Sequence, residues 1–141
     1  MTAVLVAAGP HGPSVDLPSS LHMRSPLPGL PDHDEYTLTS LDDIGVLFAL
    51  RSEPADERSV RLFVVAPGPF FPDYTPAITS EVRASIGASM GNAVPLVVVH
   101  PADGDHPPTA NLLAPLVVDL TSGNAVQTVL DGDWPLRAPL G

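Results

Sequence analysis

The sequence predicts a mainly β fold: a small antiparallel β-barrel-like single domain over residues 1–141, with one short helix at about residues 80–90. Three observations carry this prediction. Short apolar runs recur with turn signals between them, the spacing of an all-β barrel or sandwich. Eighteen prolines lie between those runs as loop and edge punctuation, against an average usage of about 5%. Only one stretch, at 80–90, repeats its apolar residues at helical spacing.

Ala3–Ala8 reads as a first strand, closed by Gly9-Pro10. Residues 10–34 are rich in proline and lack periodicity, apart from a short strand at Leu21–Arg24. The turn at 25–29 follows from proline fixing φ and from Gly29 supplying a positive one. Glu35–Leu41 alternates, with Tyr36, Leu38 and Ser40 on one side. After the Asp42-Asp43 turn, Val46–Leu50 is apolar enough to be covered on both faces. Val60–Val65 is the next strand.

The helix is predicted from Ser80 to Met90. Thr79 or Ser80 caps it, Glu81 sits in the first turn where the helix dipole favours an anion, and Gly91-Asn92 ends it. Val82, Ile86 and Met90 give one narrow apolar stripe. Ala93–His100 and Asn111–Leu120 are strong strand signals, each interrupted by a proline, which points to an edge or a bulge. Ala125–Leu130 completes the set.

Composition limits what the protein can do. The chain has no cysteine, so neither a disulfide framework nor a thiolate metal site is expected. It has no lysine, which excludes Schiff-base chemistry and a P-loop. No apolar run reaches the roughly 18 residues of a membrane span, and no basic leader precedes the first strand, so a cytoplasmic location is expected. The net charge of −10 repels phosphate backbones and favours a basic protein partner over nucleic acid.

No catalytic constellation emerges, and the expectation is a binding protein rather than an enzyme, with no cofactor. No G-x-S-x-G elbow precedes a helix. The loop His100–His106 contains imidazoles and carboxylates, but its spacing matches no metal signature and reads as a solvated hairpin connection. His11, His22 and His33 read as surface residues.

The strongest binding candidate is the segment PGPFFPDYTPAI at 67–78. Its prolines hold the chain rigid, so little entropy remains to be lost on association. One of Phe70 and Phe71 is expected to anchor the segment in the core, with Asp73 and Tyr74 facing outward. An aromatic beside acids, here Asp73, Tyr74 and Glu81, has an interface-like composition. Asp42 and Asp43, with Glu53, Asp56 and Glu57, lie in predicted turns and make a candidate acidic rim. Asn111 is read as satisfying neighbouring backbone groups, Pro115 as setting an edge or bulge, and Gln127 as either exposed or paired across strands. On these grounds alone, a barrel whose mouth binds a small ligand or carbohydrate through Phe70, Phe71 and Tyr74 is an alternative to a protein-binding regulator.

From about Ser25 onward, the order of segments resembles the flagellar assembly factor FliW family. The resemblance is carried by Leu27-Pro28-Gly29-Leu30, Phe48-Ala49-Leu50-Arg51-Ser52 and Pro69-Phe70-Phe71-Pro72-Asp73-Tyr74. It continues through Thr109-Ala110-Asn111-Leu112-Leu113-Ala114-Pro115-Leu116-Val117, Gln127-Thr128-Val129-Leu130 and Leu136-Arg137-Ala138-Pro139-Leu140. Residues 1–24 match poorly, and Arg51 stands where family members often carry Gln. The resemblance implies a small, largely antiparallel barrel with one short helix, monomeric when free. It also implies two partners bound in competition: the RNA-binding translational repressor CsrA, antagonised allosterically, and newly made flagellin.

Overall fold

The computed structural model describes residues 3–7, 14–25, 27, 34–42, 45–53, 59–71, 73–89 and 92–140, with backbone alone at 3–7, 14 and 15. Gly29, Asp43, Asp56, Glu57, His11, His33 and Met90 lie outside them.

Strands β1 (Ala3–Ala7) and β2 (Ser14–Pro18) form an antiparallel pair. Expectation met β1 and missed β2, because Ser-Val-Asp-Leu-Pro sits among prolines and offers too short an alternation to read. The chain then runs through β3 (Ser20–Met23), β4 (Glu35–Ser40), β5 (Leu47–Ser52) and β6 (Arg61–Val65). Helix α1 (Ser80–Ile86) follows, then β7 (Ala93–His100), β8 (Thr109–Ala110), β9 (Leu116–Asp119), β10 (Asn124–Gln127) and β11 (Ala138–Pro139).

Seven of these strands close a barrel in the order β7-β6-β5-β4-β3-β10-β9 and back to β7. The pairings are antiparallel except β3 with β10, which is parallel. Residues at period two point inward, as pleated strands require. Leu21, Tyr36, Leu38, Phe48, Leu50, Val64, Leu96, Leu116, Val118 and Ala125 fill the interior. Val46–Leu50 is covered on both faces as expected, since Phe48 and Leu50 point inward while Leu47 packs outside.

Asn111–Leu120 is two strands rather than one. Both β8 and β9 pair antiparallel with β7, and residues 111–115 leave the sheet between them. The Asn111 Oδ1 accepts from the backbone N–H of Leu113 and of Ala114, at 3.1 Å each. Pro115, which has no N–H to give the ladder, ends the excursion and is buried. The Gln127 side chain donates to the Ala114 carbonyl at 3.0 Å, and Thr128 and Leu130 donate to Pro115 and Leu113. Asn111 therefore serves the backbone as expected, and Gln127 is paired.

The helix is shorter than the 80–90 expected. Thr79 caps it, accepting from the Val82 N–H, and Gly87 at φ +72° ends it in the left-handed conformation, ahead of Gly91-Asn92. Ile86 is buried where α1 packs beside β9 and β10, and Asn124 donates to its carbonyl.

The parallel contact depends on Gly123. Its φ is +81°, and a Cβ there would sit 2.3 Å from the Ser20 carbonyl oxygen. Gly123 in turn accepts from the His22 N–H at 2.9 Å, which starts the β3–β10 pairing. Gly123→Ala should therefore lower unfolding stability by about 1–3 kcal/mol, seen as an earlier denaturation midpoint with an unchanged m value. A midpoint equal to that of the parent would contradict this role.

Candidate functional site

A second apolar core lies on the outer wall of the barrel. Val65, Val97, Val99, Ala110, Leu112 and Ala138 form it, with Leu47, Phe63, Trp134 and Leu140 packed around them. The 67–78 segment lies against this outer core. Phe70 and Phe71 both donate their N–H to the Pro67 carbonyl, and Tyr74 donates to that of Phe71. These consecutive turns hold the segment close to the outer core.

Phe71 packs on the outer core, whereas Phe70 is 38% exposed with its ring centroid 6.4 Å from that of Phe71. Tyr74 does not face outward as expected. Its hydroxyl donates to the Leu112 carbonyl at 2.6 Å, and its ring meets Trp134 edge-on at 4.8 Å. The excursion at 111–115 is what brings the Leu112 carbonyl within reach. Asp73 is exposed, with no hydrogen-bond or ion-pair partner among the described residues.

Phe70, Phe71 and Tyr74 from this segment, with Leu112, Trp134 and Pro135, line an open groove of about 320 Å³ with Asp73 at its edge. It lies on the outer wall and not at the barrel mouth, so the structure corrects the placement behind the ligand-binding alternative. Leu112 and the Trp134-Pro135 pair were not singled out from sequence. The one tryptophan of the chain, set just after an Asp-Gly-Asp turn, was the available signal.

Of the candidate acidic rim, Asp42 and Glu53 lie among the described residues. Asp42 is a turn organiser: its carboxylate accepts from the N–H groups of Gly45, Val46 and Leu47 at 3.0–3.1 Å. Glu53 accepts from the Thr37 hydroxyl. Glu81 is exposed in the first turn of α1 and is not part of the groove lining. His22 pairs across strands with Glu35. The His100–His106 loop closes as a tight turn in which Asp103 and His106 exchange backbone hydrogen bonds. Among the described residues no set of three His, Asp or Glu is placed to hold a metal.

Fold and site together define a small closed β-barrel whose open apolar surface lies outside its wall, backed by a second core. The family model for the FliW protein matches residues 12–140, and the chain belongs to the FliW family. It is 32% identical over 123 residues to the flagellar assembly factor FliW of Heliobacterium modesticaldum, covering 83% of this chain and 77% of that one. A crystal structure of the flagellar assembly factor FliW superposes with a TM-score of 0.75 at 17% identity over 95% of both chains, a likeness of fold. The resemblance read from the six segments is thereby established. No described helix is long and apolar enough to cross a membrane.

Two outcomes are expected from these contacts. Asp42→Ala strands three backbone N–H groups at a partly buried turn, so denaturation should show a loss of about 1–3 kcal/mol. An unchanged midpoint would return Asp42 to the list of free surface acids. Burial pushes the Tyr74 phenol from 10.0 up to about 12, and burial with the Asp34 carboxylate nearby also raises Tyr36. A raised phenol keeps its proton longer in the folded chain, so this contribution to stability is whole below about pH 10 and lost as pH rises toward about 12. Ultraviolet titration of the native protein should show both tyrosines ionising above the ordinary value, and a normal titration would refute the burial of both.

Proposed function

We propose that this protein is a non-enzymatic, protein-binding regulator of flagellar assembly that acts in the cytoplasm. It binds the translational repressor CsrA and antagonises it. Flagellin competes for it, so export of flagellin frees the protein to relieve repression of flagellin translation. The single observation that carries this reading is membership of the FliW family across residues 12–140.

Two physical features support it. The net charge of −10, with six arginines and no lysine, gives a field that speeds encounter with a basic RNA-binding protein. The groove beside Phe70 and Asp73 offers an apolar contact on a segment already fixed by turns and prolines, where little ordering cost remains.

Calorimetric titration against CsrA and flagellin from the same genome tests the proposal. Both are expected to bind, each excluding the other, with the CsrA affinity falling as salt is added. Absence of binding to either partner at low salt would sink it.

A further inference from the structure

The groove is more elaborate than a loop needs to cover an apolar wall. Phe71, Tyr74 and Trp134 converge there, and the Tyr74 hydrogen bond to Leu112 and the edge-on contact with Trp134 fix the rings. Yet these rings leave a recess of about 320 Å³ open to solvent, with Phe70 standing at its lip. A recess of that size admits one bulky apolar side chain. Leu136, next in the chain to Pro135 of the lining, is 56% exposed and adds apolar surface beyond it.

The charges around the groove limit what can occupy it. Asp73 lines the edge, and Asp131 and Asp133, both exposed, stand within three residues of Trp134. Arg137 is the one cation in the same stretch, 131–137. A second copy of this chain would set two charges of −10 against each other. Nucleic acid is repelled for the same reason.

We propose that the groove captures a segment of a partner protein in which a bulky apolar side chain is flanked by Lys or Arg, the side chain filling the recess and the cations meeting Asp73 and its acidic neighbours. This rests on the reading of the protein as a protein-binding regulator, and assigns that reading a surface and a recognition chemistry. Apolar burial supplies the affinity, and the carboxylates select against acidic segments.

Trp134 is the only tryptophan of the chain, so its emission reports the groove directly. The probes are two blocked amphipathic peptides that share a Leu/Phe face and differ only in carrying Lys or Glu flanks. The Lys peptide should give a saturable change in Trp134 emission, and the Glu peptide should bind about tenfold or more weakly. Asp73→Asn should shrink that difference several-fold, and Phe70→Ala should weaken the Lys peptide without shifting thermal unfolding. Equal binding of the two peptides, or no saturable change with either, overturns the proposal. CsrA and flagellin titrated against the same variants separate the two ideas. If both bind the parent, Phe70→Ala and Asp73→Asn alike, the groove assignment fails and the regulator reading stands. If neither binds the parent while the Lys peptide does, the regulator reading fails and the groove assignment stands.

Discussion

Strand β7 is the constraint on which the rest of the structure depends. Its residues 97–99 pair with β6, residues 93–96 with β9, and residues 99–100 with β8. One strand thus closes the barrel and also carries the β8–β11 arm that walls the outer core. Sharing of this kind requires the chain opposite β7 to change course. Asn111, Pro115 and Gln127 supply the change, by satisfying backbone groups that would otherwise be stranded when β8 leaves and β9 begins. Pro95 is tolerated because it lies in the half of β7 that β6 does not reach.

The two cores follow from that arrangement and from the pleat. On β6, Val64 points into the barrel while Phe63 and Val65 point out, and on β7 Leu96 points in while Val97 and Val99 point out. The wall is therefore apolar on both sides along β6 and β7, and the outward side must be covered. The 67–78 segment, β8, β11 and residues 134–140 cover it incompletely, and the groove is the part left open.

Much of the barrel was legible because alternation and turn residues are local signals. Glu35–Leu41, Val46–Leu50 and Ala93–His100 each announce a strand; Ala93–His100 matches β7 at both ends, and the other two strands found differ by no more than two residues at either end. Long-range choices left no such trace. The parallel pairing of β3 with β10 joins residues a hundred positions apart, and nothing in His22 or Asn124 names the other. The groove was half legible for the same reason. The Phe-Phe and Asp-Tyr pairs are visible as an oddity of composition, but Tyr74 is turned inward by the Leu112 carbonyl, 38 residues away in sequence. Charge was the least informative signal, since Asp42 looks like a free surface acid and is a backbone acceptor.

The order in which the two cores are completed sets a sequence of maturation. The last pairing of the barrel proper ends at Gln127, where β10 meets β9. Trp134, Ala138 and Leu140 of the outer core come later in the chain. During vectorial synthesis, a nascent chain that has emerged as far as Gln127 holds every strand of the barrel but no finished groove. Capture through the groove is thereby withheld until residues 134–140 have followed the barrel out.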